Sequence, residues 1–500
     1  MQHDRSQRGF FGHPRALSTL FFAELWERFS YYGMRALLVL FLVEAVTRGG
    51  FGLDDATATA IYGLYAAGVY IASLPGGWIA DRILGGQRAV LWGGALITLG
   101  HLLLAVAGSL GAFCGGLFVI VLGTGLLKPN IASLVATLYP EGGARRDAGF
   151  TIFYMGINLG GMLGPFATAW LAQRYGWHVG FLTAALGMAL GLAWYATTRR
   201  RLGEAGRLPA PHPRGDAGRR QDLGRLSSAL ALLVLVVGLF ATGVIGAGAM
   251  ALRGYAIWAI LSVALGWFIY LLAFAGLTPL ERRRVGVLAV LLLASTVFWS
   301  GFEQAGSSMT LFADRFTDRA LGGFTVPTGW FQMLNAGFII VFAPLFSALW
   351  TTLGRRGADL STGMKFVLGL AGMAGGFVVM AAGAKIVAAG DLAGPGWLIA
   401  AYLLHTWGEL ALSPVGMSAA TELVPARFAG QSMGLWYASI SLGNLLASLI
   451  AGDFDATRVE TMPAQYLRIV LFGAAAAVLL LAALPWMRRV SGTASNRPNR

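Results

Sequence analysis

Hydrophobic stretches of about 20 residues follow one another along almost the whole chain, separated by short polar stretches. An α-helix of this length spans the hydrocarbon core of a bilayer, because each residue adds about 1.5 Å. The pattern predicts about fourteen transmembrane helices, near residues 16–46, 56–79, 88–108, 111–138, 149–173, 179–198, 227–248, 255–276, 285–313, 328–352, 363–389, 396–420, 430–452 and 466–487. An even number of helices places both chain ends on one side of the membrane.

The composition agrees with a polytopic membrane protein. Of the 500 residues, 56% are hydrophobic and 12% are charged, and the mean hydropathy of +0.66 lies far outside the soluble range. With Cys114 as the one cysteine, neither an intrachain disulfide nor a cysteine-based metal site is possible. The first fifteen residues are polar and basic and lack the core of a cleavable signal, so we expect no processing.

The formal net charge of +14 has a topological explanation. The arginines fall mainly in alternate connections, at Arg5, Arg8 and Arg15, at Arg82 and Arg88, and at Arg145 and Arg146. Positive charge concentrates in cytoplasmic loops, so both termini are predicted to be cytoplasmic. We therefore expect the bilayer to be the partner of this charge, and we expect no nucleic acid.

One segment breaks the hydrophobic pattern. Residues 199–226 are rich in arginine and proline and predict a flexible, basic cytoplasmic linker. The linker could bind lipid headgroups or a partner, but we favour simple topology determination. The sequence thus predicts an N-terminal six-helix bundle (1–198), the linker, an inserted helix pair (227–280), a C-terminal six-helix bundle (281–490) and a cytoplasmic tail (491–500).

The first predicted helix contains charges that a membrane span normally lacks. Its polar residues recur at intervals of three and four, which forms one stripe of Glu24, Glu27, Arg28, Tyr31 and Tyr32. An ionised side chain near the bilayer centre costs roughly 2.5–3.5 kcal/mol, so the stripe must face a polar interior. It is a candidate functional site for that reason.

Other motifs point to a known family. The segments 77–82 and 86–88 (GWIADR and GQR) resemble the cytoplasmic loop motif of the major facilitator superfamily. Four more segments have distinctive sequences: 123–130 (GTGLLKPN), 153–160 (FYMGINLG), 298–308 (FWSGFEQAGSS) and 408–416 (GELALSPVG). Together with the stripe of the first helix, they resemble the proton-dependent oligopeptide transporter family, bacterial type. The resemblance implies an all-α polytopic protein with the major facilitator superfamily fold, two six-helix bundles plus the inserted pair.

The charges suit a zwitterionic substrate. Arg28 and Lys128 can bind a carboxylate, while Glu409 and the amides of Asn158 and Asn335 can accept from an ammonium group. The cations and the carboxylates of Glu303 and Glu409 are expected on opposite walls of one cavity. The resemblance implies the same assignment, with the peptide carboxyl end at the cations and the amino end at Glu409, Asn158 and Asn335.

Aromatic side chains are the second part of the expected site. The resemblance implies that Tyr31, Tyr32, Tyr70, Trp299 and Trp436 line the pocket. Helix packing is an equally good interpretation for four of them, Tyr31, Tyr70, Trp299 and Trp436. For the lone helical histidines, His101 and His405, we favour structural hydrogen bonding over a proton relay.

Proton coupling is expected to rest on carboxylates. Burial penalises an ionised carboxylate and a nearby cation favours it, so a helix movement can load and release a proton at Glu24 or Glu27, with Lys128 and Glu303 taking part. The position of a histidine in animal family members is taken here by Gly63. The resemblance also implies an outer gate between Arg35 and Glu303 and an inner pairing of Lys128 with Glu409.

These observations predict a proton-coupled symporter that takes up di- and tripeptides by alternating access. We expect a monomer in a bacterial inner membrane, powered by the proton gradient, without cofactor or metal. A transporter of another small anion or zwitterion, such as nitrate or a peptide-like drug, and a drug/proton antiporter are the alternatives. An enzyme is disfavoured, because the predicted spans contain no nucleophile–base pair or metal cluster.

Overall fold

The computed structural model describes residues 8–140, 143–207, 215–241, 248–358, 360–452 and 458–492. The described chain is almost entirely helical, so the predicted all-α fold is confirmed. The helices are α1 (Arg15–Val43), α2 (Asp55–Ile79), α3 (Gly86–Val106), α4 (Leu110–Thr137), α5 (Gly143–Tyr175), α6 (Trp177–Thr198), α7 (Gly215–Ala241), α8 (Ala249–Phe274), α9 (Pro279–Phe302), α10 (Ser308–Arg315), α11 (Trp330–Arg355), α12 (Thr362–Ala388), α13 (Gly396–Glu422), α14 (Ala429–Gly452) and α15 (Met462–Gly492). Two short antiparallel hairpins pair β1 (Arg8–Phe10) with β2 (His13–Pro14) and β3 (Ala320–Leu321) with β4 (Phe324–Thr325).

Most of the helices can cross a bilayer. Within the described ranges, eleven are long and apolar enough to do so. Helix α1 is not among them, because its charged stripe interrupts the apolar sequence. Local signals fix several helix ends, as at α9, where Thr278 and Glu281 form a reciprocal capping box next to Pro279.

The helices form two compact units. The first comprises the described residues within Met1–Gly52 and Gly68–Gly248. In it, α1 packs against α5 and α6, and α3 packs against α4 and α6. Glycines allow the close approach of α5 to α1, since a Cβ added at Gly160 or Gly164 would collide with the α1 backbone.

The second unit comprises the described residues within Leu53–Ala67 and Ala249–Arg500. Helix α12 packs against α13 and α15, and α14 packs against α9. From the predicted insertion, α8 joins this unit and buries Ile260 against Leu442 and Leu445 of α14. The first part of α2 also belongs here, which differs from a division of the bundles at residue 198.

Two predicted elements differ in detail from the structure. The span predicted at 285–313 is interrupted, because a 3-10 turn at Glu303–Gly306 separates α9 from α10. The apolar pattern runs through this turn and gives no sign of it.

The predicted flexible linker is partly ordered. Helix α7 begins inside it, at Gly215, and its Asp222 is only 4% exposed, with Arg225 at 3.1 Å and Arg82 at 3.9 Å. The amide of Gln87 also donates hydrogen bonds to the carbonyls of Gly203 and Ala205 at 3.0 and 2.8 Å. Residues 208–214 of the linker and 493–500 of the predicted tail lie outside the described residues.

Candidate functional site

The charged stripe of α1 is buried. Glu24, Glu27 and Arg28 are 3%, 0% and 5% exposed. The Nε of Arg28 lies 3.1 Å from Oε1 of Glu24 and is also paired with Glu27. One guanidinium therefore pairs with two carboxylates, and the three side chains together have a formal charge of −1 when both acids are ionised.

Each of the two carboxylates has an oxygen without a hydrogen-bond donor among the described residues. Among the described residues, Oε2 of Glu24 and Oε1 of Glu27 are buried and accept no hydrogen bond. A buried carboxylate oxygen without a donor penalises the charged form of the group. The arrangement is therefore suited to a change of protonation.

The backbone of α5 holds this stripe in place. Gly160 leaves room for Cβ of Arg28, which would lie 2.9 Å from an added side chain. About two turns further on, Thr168 donates a hydrogen bond at 2.9 Å to the carbonyl oxygen of Gly33. The glycine positions of α5 thus fix the height and rotation of α1.

Lys128 lies on α4 in the same unit as the stripe. Its Nζ stands 4.0 Å from the centre of the Tyr70 ring, a cation–π contact, and its charge acts on the Glu24 carboxylate. Pro129 lacks the N–H that would bond to the carbonyl of Gly125, and on the next residue the side-chain amide of Asn130 donates to the carbonyl of Leu126 at 2.7 Å.

The first unit also contains four other residues of the predicted site, Tyr31, Tyr32, Arg35 and Asn158. Tyr31 is buried and its ring lies 5.2 Å from Cζ of Arg28. Arg35 is buried with its Cζ 6.0 Å from the Tyr32 ring. Asn158 is buried on α5, where its amide donates to the carbonyl of Tyr154 at 2.9 Å.

In the second unit, Glu303 occupies the turn between α9 and α10. Its side chain is 3% exposed, and its Oε2 accepts a hydrogen bond from the Tyr62 hydroxyl at 3.2 Å. A Cβ at Gly306 would collide with the Tyr62 ring, so this glycine permits the approach. Because Arg35 and Glu303 belong to different units, the predicted gate between them stays a prediction.

Glu409 is held by an amide. Asn335 of α11 donates through Nδ2 to Oε2 of Glu409 at 2.9 Å, and to the Thr406 hydroxyl oxygen at 3.1 Å. The Thr406 hydroxyl in turn donates to the carbonyl of Tyr402 at 2.7 Å. The structure therefore joins two of the predicted amino-end residues, Asn335 and Glu409, in one hydrogen-bonded group.

The tryptophans are placed among packed helices. Trp299 is 6% exposed, and its rings meet Phe302 edge to face at 5.2 Å. Trp436 is 2% exposed and fills the space left by Gly416, where any Cβ would collide with its ring. Such burial is typical of packing residues, and pocket lining by these two side chains stays a prediction.

The two helical histidines and Gly63 lie in different surroundings. The Nε2 of His405 lies 3.2 Å from the carbonyl oxygen of Met373, as expected for a structural hydrogen bond. His101 differs from that expectation, since within the described ranges neither ring nitrogen has a hydrogen-bond partner. A Cβ at Gly63 would collide with Ser448, so a larger side chain does not fit there without repacking.

Sequence reasoning missed several contacts of the second unit. Tyr62 and Thr406 were not predicted as site residues, because a lone Tyr or Thr on an apolar helix has no distinguishing pattern. The guanidinium of Arg315 binds the Asp55 carboxylate through two hydrogen bonds of 2.6 and 2.7 Å. The sequence showed both charges but not their pairing.

Comparison with known proteins gives a consistent result. The model of the POT family matches residues 87–208 and 270–468. A peptide transporter of Yersinia enterocolitica is 43% identical over 497 residues, covering 97% of each chain. A di-/tripeptide transporter of Lactococcus lactis is 35% identical and covers 91% of this chain and 92% of its own.

Solved structures agree with these relatives. A mutant of the peptide transporter POT in complex with alafosfalin superposes with a TM-score of 0.89 at 38% identity, covering 98% of this chain and 99% of its own. These relatives are transporters, as expected for a chain that is not an enzyme. By sequence and by fold, the chain belongs to the POT family.

Proposed function

We propose that the chain is a proton-coupled symporter for the uptake of di- and tripeptides, working by alternating access. The observation that carries the proposal is the buried group of Glu24, Glu27 and Arg28 on α1. Ionised groups are costly in a membrane helix, so such a group marks a functional site by default. The names of the relatives, as peptide and di-/tripeptide transporters, support the same substrate class.

Each unit offers one kind of charge to a zwitterion. In the first unit, Arg28 can bind a carboxylate through a planar, two-pronged contact, and Lys128 adds a second positive charge. In the second unit, Glu409 can bind an ammonium group, with Asn335 setting the direction of its carboxylate. We assign the peptide carboxyl end to the former residues and the amino end to the latter, with Asn158 as a further polar contact.

Proton coupling is assigned to Glu24 and Glu27, assisted by Lys128 and Glu303. The buried oxygens of the two α1 carboxylates lack donors among the described residues, so the preference for the protonated or the ionised form depends on the cations nearby. A movement that changes the distance to Lys128 would change that preference. Protonation and helix position are then linked, as a symporter requires.

Location and assembly follow the same proposal. The distribution of arginines supports a bacterial inner membrane protein with both termini in the cytoplasm. We propose that a monomer suffices for transport, with the proton gradient in place of any cofactor.

The test is uptake into liposomes that contain the purified protein. Labelled dialanine, nitrate and free alanine are compared under an imposed pH gradient and membrane potential. The proposal expects accumulation of dialanine only, abolished by a protonophore. Accumulation of nitrate in preference to dialanine would favour an anion carrier, and proton-driven export of a drug would favour an antiporter.

A matched pair of variants on α13 separates site chemistry from general damage. Glu409→Gln removes the proposed ammonium contact, whereas Glu422→Gln alters an exposed carboxylate on the same helix. We expect a large loss of dialanine uptake in the first and near-normal uptake in the second. Equal uptake by both would contradict the assignment of Glu409.

A further inference from the structure

An apolar groove with a single arginine lies on the surface of the second unit. Its walls are Leu446, Leu449 and Ile450 from α14 and Ile469 and Phe472 from α15. The polar side chains on the groove are Gln465 and Arg468, and the volume is about 310 Å³. Leu449 and Phe472 are 42% and 49% exposed, so the groove is open at the surface of two candidate membrane spans.

Arg468 lies within a candidate membrane span, where a charged side chain needs a binding partner. Arg468 is the one charged residue between Glu460 and Arg488 in the sequence, within a candidate membrane span. It is exposed, and it forms no ion pair with any described residue. An exposed guanidinium on a span requires an anion or water to solvate it.

The depth of Arg468 agrees with the level of lipid phosphates. It lies six residues after Met462, the first residue of α15, which corresponds to about 9 Å along the helix axis. Headgroup layers occupy about 5–7 Å on each side of the hydrocarbon core, so a guanidinium at the end of its long side chain reaches them. The last two turns of α14 form the other wall, so the groove begins near the ends of both helices and extends inward to Phe472, about 15 Å along α15.

We propose that this groove is a binding site for an anionic phospholipid. The phosphodiester binds the Arg468 guanidinium, and one acyl chain lies between α14 and α15 along Leu449 and Phe472. Gln465 stands one turn before Arg468, where its amide is held by the Thr461 hydroxyl at 3.4 Å and adds a polar edge to the headgroup end. Because Arg468 has no ion-pair partner among the described residues, its charge selects a lipid with net negative charge, such as phosphatidylglycerol. The inference does not depend on which substrate the protein transports.

The test measures retained lipid by native mass spectrometry. Purified protein is titrated with dioleoyl phosphatidylglycerol, and with dioleoylglycerol, which has the same acyl chains and no phosphate. We expect one phosphatidylglycerol to be retained and at least fivefold less dioleoylglycerol. Equal retention of the two lipids would overturn the role of the phosphate.

Three variants assign the site. Arg468→Gln is expected to lower phosphatidylglycerol occupancy about fivefold or more, and Arg468→Lys to restore part of it. Leu449→Trp, which fills the groove and leaves the charge, is expected to lower occupancy as well. Unchanged occupancy in Arg468→Gln would overturn the proposal, and unchanged occupancy in Leu449→Trp would overturn the placement of the acyl chain.

Two controls distinguish a lipid site from a site for free phosphate or for any surface charge. Arg174→Gln changes an exposed arginine in the last turn of α5, and occupancy is expected to be unaffected. Inorganic phosphate at millimolar concentration is expected not to displace the lipid. Displacement by inorganic phosphate, or an equal loss in Arg174→Gln, would contradict the groove as the lipid site.

Discussion

The hydroxyl of Tyr62 donates a hydrogen bond of 3.2 Å to Oε2 of Glu303. The two residues are 241 positions apart in the sequence, and both side chains are buried. A hydrogen bond to a charged group contributes about 1.5–3 kcal/mol. The Tyr62 hydroxyl thereby fixes the position of the Glu303 carboxylate. The contact links the start of α2 to the turn that interrupts the predicted ninth span.

The first prediction concerns this contact. Tyr62→Phe removes the donor and keeps the ring that packs against Gly306. We expect uptake driven by a pH gradient to fall about tenfold, because the Glu303 carboxylate, which we assign to proton coupling, loses the hydrogen bond that fixes its position. Exchange of labelled for unlabelled dialanine at equal pH is expected to change much less.

The control is Tyr255→Phe, which removes a hydroxyl from an exposed tyrosine on α8. It is expected to leave both assays unchanged. If Tyr62→Phe reduced exchange and driven uptake equally, the hydroxyl would serve general stability and not coupling.

The second prediction concerns Lys128, one of three lysines in the sequence. Lys128→Ala removes the cation above the Tyr70 ring and its influence on Glu24. We expect loss of gradient-driven uptake, since the carboxylate anchor and the charge that resets the α1 acids are lost together.

Lys385→Ala is the matched control, because this exposed lysine lies in the last turn of α12. Uptake by this variant is expected to match the wild type. Normal accumulation of peptide by Lys128→Ala under a pH gradient would show that the coupling scheme is wrong.

The third prediction concerns stability. Arg315 and Asp55 form a two-pronged ion pair with side-chain exposures of 29% and 17%. Arg315→Gln leaves a partly buried carboxylate with a weaker partner, and we expect the free energy of unfolding to fall by about 1–3 kcal/mol. Thermal unfolding of the detergent-solubilised protein measures the change.

Arg48→Gln provides the comparison, because Arg48 is 74% exposed in its pair with Glu44. An exposed pair of this kind contributes about 0–1 kcal/mol, so the melting temperature is expected to change little. A double variant that exchanges the charges, Asp55→Arg with Arg315→Asp, is expected to recover part of the loss. No recovery would argue against direct pairing as the source of the stability.

The sequence predicted the stripe on α1 because helical periodicity alone brings Glu24, Glu27 and Arg28 to one face. That reasoning is local, and it succeeds where spacing determines position. It could not predict that Tyr62 reaches Glu303, because nothing in either segment specifies the partner across 241 residues.

The local sequence did not predict the turn within the ninth span or the start of α7. The turn at Glu303–Gly306 interrupts a run that is apolar on both sides, and Gly306 there is needed by the neighbouring ring of Tyr62. Helix α7 begins within a polar segment, and its buried Asp222 is compensated by arginines, one of them distant in sequence. Tertiary contacts overrode the local pattern in both cases.

The fourth prediction concerns the amino end of the substrate. Asn335 donates a hydrogen bond of 2.9 Å to one oxygen of Glu409 and so orients the carboxylate that we assign to the ammonium group of the substrate. Acetylation of dialanine removes the positive charge that Glu409 would bind and leaves a carboxylate without its partner. We expect acetylation to weaken competition about tenfold or more in the wild type, and only slightly in Glu409→Gln.

Four affinities are compared, those of the wild type and of Glu409→Gln for free and for acetylated dialanine. The difference between the two effects of acetylation measures the contact between Glu409 and the amino group, because effects that either change causes alone cancel. Asn335→Ala is expected to lie between the wild type and Glu409→Gln, because the carboxylate remains but loses the amide that orients it. Glu422→Gln is expected to behave as the wild type with both substrates. Equal competition by acetylated and free dialanine in the wild type would contradict recognition of the amino group by Glu409, even if driven uptake of dialanine is observed.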